Sequence, residues 1–174
     1  IVIRFQCTDG NQILQTCQAI AANWEAAGVK VELTSMDQPK LINNALSGDY
    51  DATIWAQFGA PDPDADSVWW NGANAGADGG LALNMARNQD PVLDAALYVG
   101  RTSPKPDERK LAYITVQVQL AKDIPYIWLN HNTWVVAADN NLRGIQGSTL
   151  PDGSPGKNTI SGIERLTEVG FESR

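Results

Sequence analysis

The chain lacks most of the features that announce a catalytic or nucleic-acid-binding protein. It has one histidine, His131, so a Ser-His-Asp set would have to use that residue, and no G-x-S-x-G elbow accompanies it. No G-x-G-x-x-G and no phosphate-binding loop is present. Gly153-Ser154-Pro155-Gly156-Lys157 has the wrong spacing for one. Basic runs are absent too. The densest group, Lys105, Arg109 and Lys110, sits in a chain of net charge −7, which disfavours binding to phosphate backbones and removes nucleic acid from the expected partners. No apolar run approaches the roughly 18–20 residues of a membrane-crossing helix. Cysteine is limited to Cys7 and Cys17, compatible with a disulfide or with two small buried thiols. Asp62, Asp64 and Asp66 alternate like the start of a calcium loop. The rest of that pattern fails, because Ser67 replaces the turn glycine and Ala73 the bidentate glutamate. The residues thus single out no catalytic set, no metal site and no cofactor site, and no enzyme is expected; the alternative is a hydrolytic enzyme using a pair of acidic residues, since an acidic chain offers many such pairs.

What is present is an ordinary globular composition, 43% hydrophobic and 19% charged over 174 residues, enough for one domain with a real core. Ile1-Val2-Ile3-Arg4-Phe5 begins directly inside an apolar strand pattern. The amino terminus therefore reads as cut from something longer, and targeting signals carry no information on compartment.

Residues 1–6 predict a strand. Asp9-Gly10-Asn11 starts a helix of about sixteen residues carrying Ile13, Leu14, Cys17, Ile20, Ala21 and Trp24 at helical spacing, with Gly28 at its end. Val29 to Met36 alternates as a strand. Asp37-Gln38-Pro39 caps a short helix with Leu41, Ile42, Ala45 and Leu46, stopped by Gly48, and Asp51 to Ala56 forms a third strand. This β-α-β-α-β order implies an α/β fold with parallel strands, whose ligands bind beyond the carboxyl ends of the strands.

A long loop follows, about residues 57–80, rich in Gly, Pro, Asp and Asn. Two helices are expected next, Pro91 to Gly100 with Val92, Leu93, Ala96 and Leu97, and Pro106 or Asp107 to Lys122 with Leu111, Ile114, Val118 and Ala121. Pro125 ends the second, and Tyr126–Leu129 and Trp134–Ala138 read as further strands. Of six tryptophans, Trp24, Trp128 and Trp134 read as core. Trp55 at a strand end and Trp69 and Trp70 in the loop read as a binding surface. The candidate ligand-binding residues are Trp55, Gln57, Phe58, Asp62, Trp69 and Trp70.

Four stretches together resemble a known family. They are Ala19-Ile20-Ala21-Ala22-Asn23-Trp24-Glu25-Ala26-Ala27-Gly28-Val29-Lys30-Val31-Glu32-Leu33; Gly48-Asp49-Tyr50-Asp51 with Trp55 and Asp62-Pro63-Asp64; Asn84 with Asn88 and Asp94; and Asp107-Glu108-Arg109 with Gln117, Leu120, Asp123 and Pro125. In order and spacing over residues 1–144 the chain is similar to the carboxy-terminal lobe of the family 5 (peptide/nickel-type) extracellular solute-binding proteins of ABC importers. The resemblance implies a periplasmic-binding-protein-like lobe spanning 1–144, with 145–174 an irregular return segment toward a missing amino-terminal lobe. It implies closure of the two lobes on a small solute, delivery to an ABC permease, and a periplasmic or extracellular location with a lipoprotein anchor. Peptide-binding members place an aspartate about three residues after the strand tryptophan to hold the peptide's amino group. That position here is Phe58, which brings an oligosaccharide in as the alternative ligand to a peptide.

Overall fold

A computed structural model describes residues 1–57, 62–77, 80–131, 137, 139–143 and 170–171. The chain divides into two compact units, Ile1–Gln57 with Pro63–Ile127, and Phe58–Asp62 with Trp128–Arg174.

The first unit is built on a parallel sheet in the order β2-β1-β3. β1 (Val2–Thr8) pairs with β2 (Lys30–Met36) along its whole length, and with β3 (Ala52–Thr53) only at Phe5 and Gln6. The expected third strand, 51–56, is therefore shorter than its sequence pattern. Past Thr53 the chain leaves the ladder, and Ile54 N–H makes one last bond to the Gln6 carbonyl at 3.4 Å.

The connections are the helices the sequence predicts. α1 (Asn11–Ala26) lays Cys17 and Ala21 on Phe5 and Cys7 of β1, with Trp24 packed on the Phe5 ring at a centroid distance of 5.2 Å. Gly28 follows in the left-handed region (φ +88°), where a residue with a Cβ is strained. Of the two redox states open to Cys7 and Cys17, the structure holds the disulfide, which staples β1 to α1 with neither cysteine exposed. α2 (Gln38–Ser47) starts at Asp37, whose carboxylate accepts from Lys40 N–H at 2.8 Å, and ends at Gly48 with φ +81°. It buries Leu41 and Ala45.

Between α1 and α2 the sheet is closed by polar pairs as well as apolar ones. Gln6 is buried, but its side chain is satisfied. Its amide donates to the Asp49 carbonyl at 2.7 Å and its oxygen accepts from Asn44 at 3.0 Å. Arg4 holds the approach to β3 through Asp49 (2.7 Å) and Asp51 (3.2 Å), and this guanidinium holds the Asp51 carboxyl below the ordinary carboxylate range.

The second half of this unit is helical. α4 (Pro91–Thr102) and α5 (Pro106–Asp123) bury Leu93, Ala96 and Leu97 against Val116 and Leu120. Gly100 lets the pair approach, since a Cβ there would stand 2.7 Å from the Tyr113 ring. α5 packs on a different face from the one its most obvious apolar residues suggest. Ala112, Val116, Gln119 and Leu120 are inside, while Leu111, Ile114, Val118 and Ala121 point to solvent. α5 is apolar on two sides, and the contact with α4 selects one. It ends at Ile124, in the left-handed conformation (φ 50°), directly before Pro125.

Tyr126–Leu129 joins no ladder among the described residues, contrary to the strand expected there. Trp128 is accordingly 65% exposed instead of core. Of the expected strand 134–138 only Ala137 is described, so that assignment, and Trp134 with it, falls outside the described residues. In the second unit β4 (Leu142–Arg143) pairs antiparallel with β5 (Gly170–Phe171). The rest of the expected return segment, 145–174, lies outside the described residues. No helix among those described is long and apolar enough to cross a membrane.

Candidate functional site: the carboxyl edge of the sheet

The parallel strands all deliver their carboxyl ends to one edge, where α/β folds bind ligands. β3 ends at Thr53, and two residues later Trp55 stands 36% exposed, with Gln57 half-buried beyond it. A tryptophan left this open beside a sheet edge exposes apolar area that a ligand can cover.

The segment after it is far more ordered than a long loop. A 3₁₀ turn (Pro63–Asp66) runs into α3 (Ser67–Trp70), a single helical turn, and a second 3₁₀ turn follows (Gly72–Asn74). Trp69 and Trp70 thus sit on a helical turn. Trp70 is half-buried against the α4–α5 core and anchors the segment. Trp69 is also half-buried, and its carbonyl accepts the Tyr126 hydroxyl at 3.4 Å. Trp55, Trp69 and Trp70 do not stack on one another. Phe5 and Trp24 form a ring pair elsewhere, between β1 and α1. Asp62 is exposed and belongs to the second unit, and Phe58 lies outside the described residues.

Four side chains pin this segment. Asn84 is fully buried, and its amide nitrogen donates to the carbonyls of Trp70 (3.3 Å), Asn71 (3.2 Å) and Asn88 (2.9 Å). Arg87 donates to the carbonyls of Ala75 (2.7 Å), Gly80 (2.8 Å) and Leu46 (3.2 Å). Asp94, at the start of α4, accepts the Gly72 N–H at 2.7 Å. Arg101, at its end, binds Asp64 at 2.9 Å and the Ser67 hydroxyl at 2.7 Å. Tyr50 adds a bond from its hydroxyl to the Met85 carbonyl at 2.6 Å, and burial pushes its phenol up. Burial likewise pushes the Asp66 carboxyl up. Backbone carbonyls are common to most of these anchors, so the segment's path is fixed by main-chain groups and tolerates varied side chains.

Asn84 and Asp94 belong to one of the stretches that carry the family resemblance. Arg87 and Arg101 carried no sequence signal. Their partners lie 7 to 41 residues away in the chain, and long-range polar contacts leave no periodicity to read. Asp64 is engaged by Arg101, and no group of three or more His, Cys, Asp or Glu able to hold a metal occurs among the described residues.

No family model matches the chain, and no curated protein does either. Solved structures do. The ABC transporter-associated periplasmic binding protein DppA from Helicobacter pylori, in complex with the peptide STSA, matches with a TM-score of 0.71 over 99% of this chain at 16% identity. The fold is that of the peptide- and nickel-type ABC solute-binding proteins. NikZ from Campylobacter jejuni, in complex with Ni(L-His), matches over 97% of this chain (TM-score 0.70, 15% identity). The oligopeptide-binding protein AppA from Bacillus subtilis, in complex with a nonapeptide, matches over 99% (TM-score 0.68, 12% identity). The chain spans about a third of each, 31%, 33% and 32%. The solute-binding-protein fold agrees with the α/β, periplasmic-binding-protein-like lobe expected from the sequence.

Proposed function

We propose that this chain is the ligand-binding lobe of a solute-binding protein that captures a small solute for an ABC importer, and that it binds without transforming what it holds. The observation that carries the reading is Trp55, open at the carboxyl edge of a β2-β1-β3 parallel sheet, in a fold shared with proteins solved around peptides and a nickel chelate. In this reading a second lobe, supplied by the rest of a longer polypeptide, closes over that edge, and residues 1–144 form one wall of the cleft. The expected setting is periplasmic or extracellular, with a lipoprotein anchor and an ABC permease as the receiving partner. The Cys7–Cys17 disulfide supports an oxidising compartment.

A peptide is the first ligand class. Trp55, Gln57, Phe58, Asp62 and the Trp69–Trp70 turn are the proposed contacts. Phe58, where a carboxylate would grip the peptide's amino group, favours a second class: an uncharged oligosaccharide stacked on the aromatic residues. Titration calorimetry with a pool of short peptides and a pool of oligosaccharides separates the two classes. Half a cleft offers half the contacts, so the 174-residue chain should bind either pool at least about a hundredfold more weakly than the two-lobed polypeptide. Equal affinity of the two would defeat the lobe reading, and turnover of either pool would defeat the binding-only reading.

A further inference from the structure

The sequence holds one Asn-Gly pair, Asn71–Gly72, between α3 and the second 3₁₀ turn. Asparagine is a chemically labile residue, and most so before glycine, where no side chain shields the following nitrogen. That nitrogen loses its proton and bonds to the asparagine Cγ. The Cγ–Nδ2 bond breaks and ammonia leaves. Water then opens the succinimide ring at either carbonyl, giving aspartate or isoaspartate.

Here the pair is held against each step. At φ −67° and ψ 131° Asn71 is extended, which turns the Gly72 nitrogen away from the Asn71 side chain. Ring closure needs a ψ of the opposite sign. Asn71 Oδ1 accepts the Ala73 N–H at 2.8 Å, so the side chain is committed to the turn. The Gly72 N–H donates to Asp94 Oδ1 at 2.7 Å. Loss of that proton would set an anionic nitrogen against a carboxylate, and like charges this close oppose it. The same contact demands the glycine, since a Cβ on Gly72 would stand 2.6 Å from Asp94 Oδ2. The residue that makes Asn71 vulnerable is therefore the one that lets Asp94 protect it.

We propose that Asn71–Gly72 is a latent deamidation site that Asp94 keeps closed in the folded protein. The proposal stands apart from the reading of function, but its consequence falls on the segment that carries Trp69 and Trp70. An aspartyl product can still cap Ala73. An isoaspartyl product routes the main chain through the side-chain carbon. It leaves a carboxylate where the Asn71 carbonyl accepts from Asn84 at 3.2 Å and from the Asn74 N–H at 3.0 Å.

Incubation of the full chain at mildly alkaline pH, followed by mass spectrometry of the tryptic peptide 41–87 with fragment ions that isolate Asn71, tests this. The folded wild type should convert at least about tenfold more slowly than the same chain in urea. Asp94→Ala should convert at least about tenfold faster than the folded wild type, and Asp94→Asn, which keeps an acceptor and removes the charge, should fall between them. The Cys7→Ser, Cys17→Ser variant loses stability elsewhere in the fold and should keep the wild-type rate, which tells general loosening from loss of the guard. If Asp94→Ala fails to fold, Asp94→Asn should still exceed the wild type several-fold. Equal rates for folded and urea-unfolded wild type overturn the proposal, as do folded Asp94 variants no faster than wild type, or a disulfide variant that speeds conversion as much as they do.

Discussion

The amide nitrogen of Asn84 lies 3.3 Å from the Trp70 carbonyl, and the same nitrogen reaches Asn71 and Asn88. One buried side chain thereby ties the end of α3 to the approach of α4. Asn84→Ala removes the donors and leaves carbonyls unpaired in a closed site. The expected loss is about 2–4 kcal/mol in denaturant unfolding, at the upper end for a polar substitution. Asn84→Asp should be no better tolerated, because a carboxylate would then face carbonyl oxygens.

Ile124 closes α5 in the left-handed conformation, which costs a β-branched residue more than it costs glycine. Ile124→Gly should stabilise the protein by about 1 kcal/mol, after allowance for the extra freedom glycine gives the unfolded chain. Thermal unfolding of the two proteins side by side reads this directly.

The Cys7–Cys17 bridge closes a loop with a sequence separation of 10 at the carboxyl end of the central strand β1. Restriction of the unfolded chain by a loop this short is worth about 3 kcal/mol. The Cys7→Ser, Cys17→Ser double variant should unfold at correspondingly lower denaturant, and reductant should shift the wild type toward it while leaving the variant unmoved.

The ordinary value for Asp51 is 3.8, and the hydrogen bonds from Arg4 lower it in the folded state. A carboxylate with a depressed folded pKa contributes stability that is fully present above its unfolded value and is lost as pH falls through the folded one. The loss from this pair therefore falls below pH 3.8. Asp51→Asn should remove part of the acid sensitivity in that window and leave the slope at neutral pH unchanged, as followed by urea midpoints across the pH range. The group is exposed, so the effect is modest.

The β-α-β-α-β half of the fold was legible because its signals are local: strand alternation, the Asp37 cap, and Gly28 and Gly48 at helix ends. Three features were not. Residues 51–56 read as a strand but β3 pairs over only two residues, since pairing depends on neighbours and not on propensity alone. α5 has apolar residues at helical spacing on two sides, and only Gly100 and Tyr113, which let α4 approach, decide which is core. The segment after Trp55 reads as a loop from its glycines and prolines. What orders it, through Asn84, Arg87, Asp94 and Arg101, is a set of side-chain bonds to distant backbone. Of the candidate site residues, Trp55 keeps the openness a ligand contact needs, whereas Trp70 serves chiefly as an anchor in the α4–α5 core.

The central claim is that a solute binds on Trp55 at the carboxyl edge of the sheet. The direct measurement is calorimetric titration of the two-lobed polypeptide and its Trp55→Ala variant with the peptide and oligosaccharide pools. The account predicts micromolar or tighter binding to one pool, weakened at least about tenfold in the variant at unchanged Tm. Binding unaffected by the loss of Trp55, or no binding to either pool, would contradict it.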